Sequence, residues 1–174
     1  MNSTDYFDDL TQSLTVARML LQKANNNHSA IEGLCLYVSI IDGFLRLSII
    51  YSRTQKSPDH TSEFEKDMIR QDDGEKTYKE KEIYDIAHRE NIISADLYER
   101  LNKMYLFRNK VVHRFSISNI TYAEIGKACD EFEAIYKEIF AIVAVLEHGP
   151  KGIPKPTQEE LDQFEKHAVK KIGQ

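Results

Sequence analysis

The stretch from Ser29 to Arg53 constrains this chain more than any other. Ile31, Leu34, Cys35, Val38, Ile41, Leu45 and Ile49 recur at helical spacing, and Leu36, Tyr37, Ile40, Phe44, Leu47 and Ile50 fill most of the remaining circumference. A helix that is apolar nearly all round must be covered on several sides. The chain therefore has to supply other helices around it, or a subunit interface.

The rest of the sequence supplies them. Phe7, Leu10, Leu14, Ala17, Leu21 and Ala24 mark a first helix over about 5–24, which Asn25, Asn26 and Asn27 end. Ser94 reads as an N-cap with Asp96 in the first turn. The helix it opens runs to about Phe115 on a stripe of Leu97, Leu101, Met104 and Tyr105, then Val111 or Val112. Thr121 and Glu124 form a capping box, with Ile120 and Ile125 at the positions of a hydrophobic staple. That helix stops at Glu147-His148-Gly149-Pro150.

Between these long elements the signals weaken. Residues 54–77 are polar and interrupted by Pro58 and Gly74, so a solvated connection is expected, with room for a short helix around 64–69. Lys79 to Arg89 carries Ile83, Ile86 and Ala87 on one face, a modest helix. Beyond Pro150, Gly152, Pro154 and Pro156 lead to a second capping box, Thr157 with Glu160, and a short charged helix to about Lys171. Seven Gly and four Pro are few, and no stretch reads as a strand. The expected fold is all-α: an up-and-down bundle of four long helices with short extra helices over 1–149, then a linker and C-terminal helix over 150–174.

Charge and cysteine usage narrow the chemistry. A net charge of -5 excludes the broad basic footprint of a general nucleic-acid binder, so any phosphate chemistry must be local. There is no Gly-rich phosphate loop, nucleophile elbow or zinc spacing. Cys35 and Cys129 fall in apolar helical patterns and read as buried free thiols. Asp85 and His88, three apart, lack the matching inward pair that a bundle metal site needs and read as a surface pair. No metal or cofactor is expected. Met1 to Asp9 is acidic, and the longest apolar run, 139–146, is short, so the cytoplasm and no membrane are expected.

One window departs from the acidic background. Arg100, Lys103, Arg108, Lys110 and Arg114 lie between positions 100 and 114 with no Asp or Glu among them. Lys103, Lys110 and Arg114 are candidate RNA- or phosphate-binding residues, against the plainer alternative of a solvated helix face. Within the window stands Arg108-Asn109-Lys110-Val111-Val112-His113, or R-N-x-x-x-H, led in by Leu101, Met104, Leu106 and Phe107.

Those residues and their helical frame resemble the HEPN superfamily, whose signature is Arg, four to six residues, then His, often with a polar residue directly after the Arg. Arg108, Asn109 and His113 match it. Arg53 and His60 satisfy the same loose spacing, but that pair spans Pro58 in the polar segment and has no helix to hold it. The resemblance implies a metal-independent endoribonuclease, a hydrolase with a toxin–antitoxin, defence or RNA-processing role, and catalytic residues Arg108, His113 and Asn109. It also implies a homodimer in which two motifs meet, and leaves room for a cognate antitoxin or regulatory protein. An imidazole ordinarily titrates near pH ~6.5, which suits proton transfer, and a guanidinium offers a permanently charged fork for phosphorane oxygens. Asn109 would orient His113 or donate to phosphate. The alternative is a non-catalytic HEPN-like module that binds a nucleotide, RNA or a protein partner.

Helix geometry complicates the simplest version. Asn109 and His113 share a face, but Arg108 and His113, five apart, diverge by roughly 140° on a straight helix. They can address one phosphate only if the helix distorts or a second chain contributes. Asp42 is a supporting candidate: it interrupts an apolar run and needs a partner, either Arg46 one turn on or Arg108 or His113 from a neighbouring helix. In a subset of HEPN toxins a Tyr two residues after the His accepts a nucleotidyl group from a partner enzyme. That position here is Phe115, which cannot.

Overall fold

A computed structural model describes residues 3–69 and 78–148. Among them six α-helices follow one another with no strand: α1 (Ser3–Asn26), α2 (Ala30–Lys56), α3 (Thr61–Ile69), α4 (Glu80–Arg89), α5 (Ala95–Arg114) and α6 (Tyr122–His148). Short 3-10 turns precede α3 (Pro58–His60) and follow α5 (Phe115–Ile117). The all-α bundle of four long helices is therefore the fold. The linker and final helix expected over 150–174 lie outside the described residues.

Helix α2 is its axis. It packs against α1, α3, α4 and α6 and more lightly against α5. Leu34, Ile40, Ile41, Leu45 and Ile49 are wholly buried along it. By length and composition alone α2 could cross a membrane, but 72% of its most apolar window is buried inside the bundle, where it serves as the core helix. Gly43 lets α1 approach closely: a Cβ there would lie 2.6 Å from the Leu14 side chain.

Local signals end and begin the helices. The Ser29 N–H returns to the Ala24 carbonyl (2.9 Å) around His28, which takes a left-handed backbone with φ 55°. Asn91 (φ 58°) closes α4 in the same way, with the Ile92 N–H on the Ala87 carbonyl at 2.9 Å. Ser94 Oγ accepts from the Leu97 N–H at 3.1 Å. In the Thr121–Glu124 box, each backbone N–H finds the other residue's side chain, at 2.7 and 3.2 Å.

Two expectations are corrected. The polar stretch after Arg53 is not simply a solvated connection: α2 continues to Lys56, and α3 buries Met68 completely. Arg46 explains the tether. Its guanidinium, almost fully buried on α2, donates to the carbonyls of Met68 (2.6 Å) and Tyr78 (2.9 Å), pinning both flanks of 70–77. Cys35 and Cys129 are free thiols, but Cys35 is exposed and Cys129 only half-buried. Cys35 lies on the side of α2 toward Arg108.

Candidate active site

The Ser94 cap sets the phase of α5, and its core stripe follows: Leu97, Leu101, Met104 and Val111 are buried. Val112 is 44% exposed, so the choice left open between the two valines falls to Val111. The helix runs to Arg114, whose backbone (φ -137°, ψ 13°) already leaves the helical region before the 3-10 turn that begins at Phe115. From Arg108 to His113 the segment is continuous α-helix, and the two side chains take the divergent directions that helix pitch requires.

Arg108 turns inward. Its side chain is 19% exposed, and Nη2 donates to the Glu80 carboxylate on α4. The other Glu80 oxygen accepts from the Tyr84 hydroxyl at 2.5 Å. The guanidinium carbon lies 5.3 Å from the Tyr105 ring centroid, a cation–π arrangement. Nε is buried with no hydrogen-bond partner among the described residues. Burial opposes the Arg108 charge and lowers its pKa, and the Glu80 carboxylate is the compensating charge. Burial, helped by the charge on Asp42 and by Tyr105, pushes the Tyr84 phenol upward, so it stays a neutral donor to Glu80.

His113 turns outward. It is exposed, with Asn109 half-buried one turn before it on the same face. Leu106, two turns before His113, is 68% exposed, and Ile117 just past it is 84% exposed. Apolar surface thus brackets the histidine on both sides. Lys103, Lys110 and Arg114 are also exposed. Arg100 is not part of this surface: it bonds to Glu131 and Glu138 of α6, each at 2.8 Å, and ties α5 to its neighbour.

Asp42 takes the first of its two possible partners. Arg46 Nε donates to it at 2.7 Å, and among the described residues no hydrogen bond or ion pair joins it to Arg108 or His113. The carboxylate on Arg108 is instead Glu80, 28 positions upstream on another helix, and no spacing in the sequence marks it. The rejected pair is structural: Arg53 bonds to Glu90 at 2.7 Å, while His60 lies 3.0 Å from Glu63. Asp85 accepts from the Tyr98 hydroxyl at 2.7 Å, and His88 stacks on the same ring. Phe115 packs edge-on against Tyr122, with centroids 6.0 Å apart.

No curated protein and no solved structure matches the chain. Residues 42–139 match a protein family described as Ribonuclease HepT-like. That span runs from Asp42 through all of α5 to Ile139 of α6, so it contains the whole R-N-x-x-x-H segment and the Glu80 that holds its arginine. It covers more than half of the sequence, and the chain belongs to the HepT-like ribonuclease family of the HEPN-type superfamily.

Proposed function

We propose that this protein is a metal-independent endoribonuclease whose site is completed by a second copy of the chain. The observation that carries this is the split of the motif across one regular helix. Arg108 faces α4, and His113 faces solvent between the exposed Leu106 and Ile117. Burying that apolar surface against a second α5 brings the motifs of two copies to one seam, so that groups which diverge on one straight helix can be supplied by two. His113 takes the proton of a ribose 2′-OH, and the oxygen attacks the adjacent phosphorus. The bond to the 5′-oxygen breaks, and that oxygen leaves with a proton from His113 of the second copy. The products are a 2′,3′-cyclic phosphate and a 5′-OH end.

Arg108 stabilises the negative charge on the phosphorane oxygens, Asn109 orients His113 from the turn below, and Lys103, Lys110 and Arg114 track the flanking phosphates. The cell would use such an activity as a toxin, in defence or in RNA processing, with an antitoxin or regulatory protein as its control. The test is cleavage of an RNA oligonucleotide in EDTA by the protein beside Arg108→Ala and His113→Ala. Loss in both variants is expected; undiminished cleavage in both sinks the proposal. The overall negative charge favours one second reading, a non-catalytic module that binds a nucleotide, RNA or a protein partner, which predicts binding without turnover.

A further inference from the structure

Glu80 lies outside the motif and on a different helix, yet it is the carboxylate bonded to Arg108. Both its oxygens are engaged, one by Arg108 Nη2 and the other by the Tyr84 hydroxyl at 2.5 Å. It is the first residue of α4, where the helix N-terminus favours a negative charge. With Glu80 16% and Arg108 19% exposed, water competes little for the contact. Tyr105 covers one face of the guanidinium. A planar group held at one nitrogen and stacked on one face has its orientation set, and the carboxylate that sets it is itself held by a buried tyrosine.

We infer that Glu80 is a positioning residue for the ribonuclease reaction: together with Tyr84 it holds the Arg108 guanidinium in the plane in which it meets the scissile phosphodiester. This rests on the proposed function above. Arginine binds phosphate through a rigid fork, so a rotated guanidinium loses transition-state contact even though its charge remains. The contact on Glu80 engages Nη2 and Nε is buried, so Nη1 is the nitrogen left for the RNA.

The experiment compares cleavage of one RNA oligonucleotide in EDTA by the wild-type protein, Glu80→Ala, Glu80→Gln, Arg108→Ala, His113→Ala and the Glu80→Ala/Arg108→Ala double variant. Glu80→Ala is expected to lower kcat about 100-fold with KM little changed, as for a misplaced catalytic group. Glu80→Gln should recover most of that loss, because its amide oxygen accepts from Arg108 and its NH2 donates to Tyr84. The double variant should be no slower than Arg108→Ala, since Glu80 acts through that arginine. Wild-type kcat in Glu80→Ala, or losses that multiply in the double variant, would overturn the proposal. Faster cleavage by Glu80→Gln would overturn it too, because Glu80 would then compete with RNA for Arg108.

If Arg108→Ala and His113→Ala cleave like wild type, the ribonuclease assignment itself fails. If those two lose activity while Glu80→Ala does not, only the role of Glu80 fails. Should Glu80→Ala not fold, Tyr84→Phe removes just the hydroxyl that steadies Glu80. A several-fold fall in kcat is expected there, and unchanged kcat counts against the proposal.

Discussion

Two arginines of this bundle each meet a carboxylate, in regions that use them differently. Arg46, between α2 and the segment after it, has all three guanidinium nitrogens engaged. It holds Asp42 one turn away and the carbonyls of Met68 and Tyr78 from distant parts of the chain. Arg108, between α4 and α5, is under-bonded. It holds Glu80, rests on Tyr105, and leaves its Nε without a partner among the described residues. A buried cation with its donors engaged stitches the fold together, and losing it exposes several orphaned acceptors. One held through a single nitrogen, with Nε buried, keeps Nη1 for a ligand. The structure thus separates a structural arginine from a candidate catalytic one, although the sequence offers each a plausible carboxylate.

The sharpest way to break this contrast is to remove each arginine and measure stability and activity side by side. Arg46→Ala should cost about 3–5 kcal/mol in urea denaturation, because it leaves Asp42 and two carbonyls without their donor. Arg108→Ala should cost less stability, because it leaves one acceptor, Glu80, that Tyr84 still bonds, yet lose about 10²–10³-fold in kcat on RNA. An Arg108→Ala variant that unfolds as readily as Arg46→Ala would erase the distinction.

A second comparison sets the two faces of α5 against each other. Replacing Leu106 and Ile117 by Asp on the outer face should leave the fold intact and shift the mass measured by light scattering from dimer to monomer, with cleavage lost in parallel. A wild-type protein that is a monomer at all concentrations would remove the second copy from the mechanism. Ser94→Ala, at the start of the same helix, should cost only about 1 kcal/mol by thermal melting, as the loss of one N-cap bond predicts.

The smallest effect is a pH dependence at α6. Hydrogen bonds from Thr121, first the backbone N–H and then the hydroxyl, hold the Glu124 carboxyl below its ordinary range, with Lys110 and Lys127 nearby. Its contribution is therefore full above the unfolded-state pKa and disappears as pH falls through the lower folded-state value. Melting temperatures of the protein and of Glu124→Gln should converge on acidification.

Most of the fold was legible because it is written in local terms. Apolar periodicity marked the four long helices, Ser94 and the Thr121–Glu124 box marked two of their starts, and the all-round apolar Ser29–Arg53 segment marked the axis. Helix α3 has no local signal: nine residues with four charges look solvated, and only Arg46 reaching the Met68 carbonyl shows why the segment folds back. The apolar pattern of α2 continues through Cys35, yet no neighbouring helix among the described residues covers it and the thiol is exposed. Within α5, periodicity alone could not choose between Val111 and Val112; packing against the neighbouring helices did.

The sequence by itself determined the helical class, the R-N-x-x-x-H segment and the divergence of Arg108 from His113. All three follow from residue types and the pitch of one helix. Only the tertiary structure decided that Asp42 belongs to Arg46, that Arg108 belongs to Glu80, and that His113 stands in exposed apolar surface. Such pairings depend on how separate helices lie against one another. Across 28 residues and two helices, spacing along the chain carries no record of which charges will meet.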